Sequence, residues 1–234
     1  YYKYIGTEGS NPGEFSLLNA ITFGPDDTVY VADSWGKNER IQYFTPDLNF
    51  LGTWGSSGKS NGSFSSDITV TSDLDGFIYA TDWGNNRIQK FTSNGTFVTS
   101  WGTLGSDDGQ FRSPHGIFFA PDGYLYVCDR DNHRIQVFWP NGTFISKWGS
   151  YGTSDGQFNC PQDVFVNKKG EIYVVEWCGD RVQKFASNKT LLTKWGSSGS
   201  GPQQFKNPHS VFEDEDGYVW VSDDRRTCEA IRPY

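Results

Sequence analysis

The chain has 234 residues, 28 of them acidic and 20 basic, for a formal net charge of −8, so its summed field repels nucleic-acid phosphates and anionic membrane surfaces. Its apolar runs are only a few residues long, as in 116–120, whereas a membrane-spanning helix needs roughly 20. Glycine (27), tryptophan (9), tyrosine (12) and phenylalanine (18) are abundant and methionine is absent; this is the mixture of short strands, tight turns and aromatic packing, in what reads as a processed or partial chain forming one domain.

Taken in order, the elements repeat. Tyr1–Gly6 reads as an isolated strand ending in Ile5-Gly6. Gly13-Glu14-Phe15 then opens a series continued by Gly62-Ser63-Phe64, Gly109-Gln110-Phe111 and Gly156-Gln157-Phe158, with Phe205 keeping only the aromatic; the phenylalanines lie 49, 47, 47 and 47 apart. Three further series share that period. One is Trp54-Gly55, Trp101-Gly102, Trp148-Gly149 and Trp195-Gly196, another Asp33, Asp82, Asp129, Glu176 and Asp223, and the last Arg40-Ile41-Gln42, Arg87-Ile88-Gln89, Arg134-Ile135-Gln136 and Arg181-Val182-Gln183.

The unit 113–148 shows what repeats. Gly116–Ala120 is short and apolar, a strand (a) buried on both faces. Pro121-Asp122-Gly123 turns into a second strand (b), Tyr124–Cys128; Asp129–His133 is a polar loop before a third (c), Arg134–Trp139. Asn141-Gly142 turns again into a fourth (d), Thr143–Trp148. Four antiparallel strands make one propeller blade. The blades span about 17–54, 68–101, 115–148, 162–195 and 209–234. The last copy stops after its third strand, so Tyr1–Gly6 is expected to supply the fourth and close the ring. The expected fold is all-β, a single five-bladed β-propeller over residues 1–234 with four antiparallel strands per blade.

Gly-x-Phe before strand a, Val-x-Asp ending strand b, Asn-x-Arg-Ile-Gln opening strand c and a final Trp-Gly together resemble the NHL-repeat family over essentially the whole chain. Members of that family commonly have six blades, so five copies is a departure.

On a propeller, the loops from d to a and from b to c surround the mouth of the channel. Strand a starts there at Asn19, Ile68, His115, Gln162 and His209, four residues after each aromatic. Ser113-Pro114-His115-Gly116-Ile117 and Asn207-Pro208-His209-Ser210-Val211 resemble the zinc-binding Pro-His stretch of the peptidyl-α-hydroxyglycine α-amidating lyases. The blade between them, with Cys160 and Cys178, resembles the cysteine-bearing blade of those lyases. The resemblance implies zinc on His115 and His209, with Gln162 or water as a third ligand. It is incomplete: only two of five rim positions are histidine, His133 lies in a b-to-c loop, and Trp177 stands where the lyases carry a catalytic tyrosine. The reading adopted is of rim histidines bonded to neighbouring backbone, with no catalytic residue and no cofactor.

Contacts repeated in every blade are read as structural. The Asp and Arg five apart fix the b-to-c loop by charge-assisted hydrogen bonds, and the Trp-Gly series packs blade on blade. The acidic run Glu213-Asp214-Glu215-Asp216 is a solvated turn. Cys160 and Cys178 fall in two loops on the same face and are expected to pair, which implies an oxidising compartment; Cys128 and Cys228 have no clear pairing. Sequons stand at Asn61, Asn94, Asn141 and Asn188, although Asn-Gly is also a preferred hairpin turn. Asn188-Lys189-Thr190 loses the glycine and keeps the sequon. The expectation is an extracellular or cell-surface module that binds protein, peptide or glycan or self-assembles, without nucleic acid or membrane insertion. A zinc-dependent lyase is the alternative, and RNA binding is disfavoured by the acidity.

Overall fold

The structure, a computed structural model, describes residues 5–34, 38–224 and 226–231, the last six by their backbone. Its first sheet runs β1 (Leu18–Phe23), β2 (Val29–Asp33), β3 (Arg40–Phe44), β4 (Phe50–Trp54). The second runs β5 (Val70–Ser72), β6 (Ile78–Asp82), β7 (Arg87–Phe91), β8 (Phe97–Trp101), and the third β9 (Pro114–Phe119), β10 (Leu125–Asp129), β11 (Arg134–Phe138), β12 (Phe144–Trp148). The fourth holds β13 (Pro161–Val166), β14 (Ile172–Glu176), β15 (Arg181–Phe185) and β16 (Leu191–Trp195). The fifth holds only β17 (Pro208–Glu213), β18 (Val219–Asp223) and β19 (Arg226–Ile231). Every sheet is an up-and-down meander of sequential strands, the propeller blade read from the repeat.

The expectation of five complete four-stranded blades, the last closed by the amino-terminal strand, is corrected here. Four sheets have four strands and the fifth has three. β19 pairs with β18, and among the described residues no strand follows on its other edge. Residues 1–4 of the expected closing segment lie outside the described residues. Ile5 and Gly6 take no strand, and Ile5 packs on a cluster of Phe15, Val29, Val31 and Phe44.

Packing divides the chain into two compact units, Tyr1–Phe119 and Ala120–Tyr234. In the first, Tyr30, Ala32 and Ile41 of one blade pack on Phe64, Ile68, Val70, Ile78, Ala80 and Phe91 of the next. In the second, Tyr173, Val175 and Val182 meet Phe205, Val211, Val219 and Val221 in the same manner. Strand b is therefore buried on both faces in each complete blade, which is why it reads as a continuous apolar run. Each such side chain contributes about 1.5–3 kcal/mol by leaving water. Strand d alternates between exposed and half-buried residues, as expected of an outer edge.

The Trp-Gly series explains itself at this level. Trp54 stands edge-on to Tyr30 of its own blade and 5.7 Å from Phe91 of the next; Trp148 does the same with Tyr126 and, at 6.4 Å, Phe185. The glycine that follows admits the next blade's aromatic. At Gly102, φ is +100° and an added Cβ would sit 2.5 Å from the Phe111 ring, so no other residue fits without displacing that ring.

Candidate functional site at the start of the inner strands

The polar residues repeated in the four complete blades form a lock. In the second blade, Asp82 is buried at the end of β6. Its Oδ1 accepts the Ser65 N–H at 2.9 Å, and its Oδ2 accepts Arg87 Nε at 2.7 Å and Gln89 Nε2 at 3.2 Å. Arg87 Nη2 then donates to the carbonyls of Ser60 and Ser63, in the loop that leads to the inner strand. Burial still raises the Asp82 carboxyl above its ordinary value, outweighing these partners. Asp33 with Arg40, Asp129 with Arg134 and Glu176 with Arg181 repeat the pair at 3.1, 2.6 and 2.6 Å. The charges are used to hold two loops together, as the repetition implied.

A second lock was missed in the sequence. Ser66, Ser113, Cys160 and Asn207 lie at equivalent positions just before strand a, with φ of 68°, 56°, 54° and 51°. Each exposes a backbone N–H that strand pairing does not use. Each is accepted by the residue just before the strand c arginine of the preceding blade: Glu39 Oε1 at 3.0 Å, Asn86 Oδ1 at 2.9 Å, His133 Nδ1 at 3.1 Å and Asp180 Oδ1 at 2.9 Å. The signal in the sequence is a column of acceptor-capable side chains, Glu, Asn, His and Asp. His133 thus has a positional role. Burial, with help from the Arg130 charge, lowers its pKa against the opposing Asp131 and Asp129, in keeping with a neutral ring whose Nδ1 accepts.

The rim residues chosen by spacing coincide with a backbone irregularity. The register of strand a against strand b shifts between Leu18 and Ala20, between Pro161 and Asp163, and between Pro208 and Ser210. Asn19, Gln162 and His209 are the bulged residues, and bulges re-aim side chains at such ends. In the first unit, Asn19 Nδ2 donates to the Ile68 carbonyl at 3.0 Å and Thr69 Oγ1 donates to the His115 carbonyl at 2.6 Å. Ile68 is fully buried just before β5.

The histidine side chains meet carboxylates. His115, buried, has Nε2 4.0 Å from Asp67 Oδ2; His209, exposed, has Nε2 2.7 Å from Asp224 Oδ1. Burial pulls the Asp224 carboxyl upward, yet hydrogen bonds from Asn207 and His209, with the charges of His209 and Lys206, bring it below its ordinary value. Among the described residues no three His, Cys, Asp or Glu side chains cluster closely enough to hold a metal ion.

The second unit concentrates the residues that are not repeated. Cys160 and Cys178 form the expected disulfide, with Cα atoms 5.4 Å apart. Beside it the Arg130 guanidinium lies 4.7 Å from the centre of the Trp177 ring, and the His133 ring lies 4.8 Å from that of the exposed Tyr151, tilted 55° to it. Asp163, crowded by protein yet still touching solvent, accepts Ser210 Oγ at 2.8 Å and the N–H groups of Val164 and Val211. Burial pushes its pKa up to about 6 against those hydrogen bonds. Ser210 donates its hydroxyl hydrogen to this carboxylate. Cys128 is a free, buried thiol, raised well above its ordinary pKa by burial and then by Asp163 and Asp129; the Cys228 side chain lies outside the described residues. Asp214 of the acidic run accepts the N–H groups of Asp216 and Tyr218 and the indole of Trp220, which is a turn-closing role.

The NHL repeat family model matches residues 111–138, within the third blade. No curated protein matches the sequence. Solved structures of similar fold include a streptogramin B lyase, at 19% identity and TM-score 0.64 over 90% of this chain and 62% of that one. A virginiamycin B lyase from Staphylococcus aureus matches at 14% identity and TM-score 0.64, over 92% of this chain and 69% of its own. A chain of a nidogen/laminin complex matches at 18% and 0.64, over 88% and 72%. This chain thus spans 62% of the first of these. At such identities the likeness is one of fold, and with the repeat match it supports an NHL-type β-propeller; the functions named are mixed.

Proposed function

We infer that the chain is an extracellular, non-enzymatic binding module whose loops at the start of the inner strands present a surface to a protein, peptide or glycan. The observation that carries this reading is the division of labour among its polar residues. The repeated carboxylates, arginines and glutamines are engaged in fixing loops, and the unrepeated residues Tyr151, Trp177 and Arg130 are gathered beside a disulfide. Aromatic side chains and arginine on a stiff frame are the usual anchors of an interface. The disulfide fits an oxidising compartment, and among the described residues no helix is long and apolar enough to cross a membrane. The fold likeness to a chain of a nidogen/laminin complex is consistent with a protein partner.

The test is direct binding of the secreted chain to immobilised extracellular-matrix fragments and a glycan panel. Saturable binding at micromolar affinity or tighter, weakened at least tenfold by Tyr151→Ala or Trp177→Ala, is the expected outcome. Turnover of a peptidyl α-hydroxyglycine by the zinc-loaded protein, with no such binding, would replace this reading by the lyase one.

A further inference from the structure

The hairpins at Asn94, Asn141 and Asn188 share one kind of turn, and of the four sequons only Asn141 has an aromatic residue two positions before it. At Asn141 the chain runs Trp139-Pro140-Asn141-Gly142-Thr143. The Trp139 N–H donates to the Thr143 carbonyl and the Gly142 N–H to the Trp139 carbonyl, both at 2.9 Å. Gly142 has φ +89°. This is the three-residue hairpin loop in which a turn is followed by a left-handed glycine. Trp139 and Thr143 are opposed across the hairpin and therefore emerge on the same face, with the exposed Asn141 at the apex between them. Asn141 Oδ1 accepts the Thr143 N–H at 3.0 Å, which fixes the amide plane. Trp139 is 48% exposed, and Tyr124 stands edge-on to it with centroids 4.8 Å apart and planes at 88°. An indole so braced cannot fold away from solvent without losing that contact. The residues two before the other sequon asparagines are Lys59, Thr92 and Ala186.

We propose that Asn141 carries an N-linked glycan whose first N-acetylglucosamine stacks its C–H face on Trp139. The inference rests on the extracellular reading above, because the donor is a lipid-linked pyrophosphate oligosaccharide of the secretory route. The bond from Asn141 Nδ2 to sugar C1 forms as the C1–O bond to the lipid pyrophosphate breaks; Nδ2 gives up one proton and the lipid pyrophosphate leaves. The indole supplies an apolar platform for a sugar ring, and Thr143 supplies the sequon hydroxyl on the same face.

The test secretes the full chain from a eukaryotic host, maps glycopeptides at all four sequons, and measures Tm for the parent, Thr143→Ala, Trp139→Ala and the double variant, with the same set made unglycosylated in a bacterial host as the zero. Asn141 is expected to be occupied. Loss of its sugar by Thr143→Ala lowers Tm by about 2–4 °C relative to the bacterial zero, the shift one stacked aromatic contact gives in a chain of this size, and that loss disappears when Trp139 is alanine. Trp139→Phe retains it. Asn141 bare while another sequon is occupied, or a Tm loss unchanged by Trp139→Ala, overturns this inference alone. All four sequons bare in secreted protein overturns it and removes support from the extracellular reading as well.

Discussion

His133 is the only titratable ring among the acceptors that hold the left-handed residues before strand a, so it is the one whose bond depends on protonation near neutrality. Its folded pKa lies below the ordinary 6.5. The bond therefore stabilises the fold above that value and is lost as the pH falls below it. Replacing His133 with Asn, the residue used at position 86, keeps an acceptor that does not titrate. Melting curves of the two proteins should coincide near pH 8 and separate by about 1 kcal/mol near pH 5, with His133→Asn the more stable. Asp163 behaves in the opposite sense. Its carboxyl binds a proton more tightly folded, at about 6, than at the ordinary 3.8, so stability is greatest below 3.8, falls as pH rises to 6 and is flat above. Asp163→Asn should remove that slope and raise stability at pH 7 by roughly 1–3 kcal/mol, read from urea titrations at pH 4 and pH 7. Neither residue is visible in the sequence as a titrating group, because each is one ordinary polar letter in a column; its environment is made by the neighbouring blade.

At the scale of the element, the lock between strand b, strand c and the preceding loop carries two expectations. Arg87→Ala leaves Asp82 buried without its cation and removes the Arg87 donor from the Ser60 and Ser63 carbonyls; it should cost about 3–5 kcal/mol, and Arg87→Lys should recover little because a compact ammonium cannot reach acceptors spread across the guanidinium fork. Replacing both Cys160 and Cys178 with Ser opens a loop with a sequence separation of 18 and should cost about 3 kcal/mol by the chain-entropy estimate, measured by chemical denaturation. The strands themselves were legible. β10, β11 and β12 fall within a residue of the boundaries expected from turn signals and apolar runs. The parallel bridges from Ser57 to Phe64 and from Tyr151 to Phe158, like the single 3₁₀ turns Trp83–Asn85 and Arg130–Asn132, were not. The two 3₁₀ turns end on left-handed Asn86 and His133, and Asn and His are not unique signs of such a position. The fifth blade differs for another reason: matching the last copy to the first by letters puts its third strand at 230–234, whereas β19 runs Arg226–Ile231 with Ile231 opposite Val219, and among the described residues no fourth strand lies beside it.

For the whole molecule, four copies of one lock mean that much of the polar chemistry is committed to holding loops in place. What distinguishes blade from blade includes the side chains at the starts of the inner strands, the Cys160–Cys178 neighbourhood and Trp139 beside Asn141. The central proposal is that the rim histidines, each against its carboxylate, serve that framework rather than a catalytic metal. Elemental analysis of the natively purified protein tests it most directly. Zinc well below one equivalent per chain, unchanged by His115→Ala and His209→Ala, is the predicted result; one equivalent of zinc that disappears on either substitution would contradict the account.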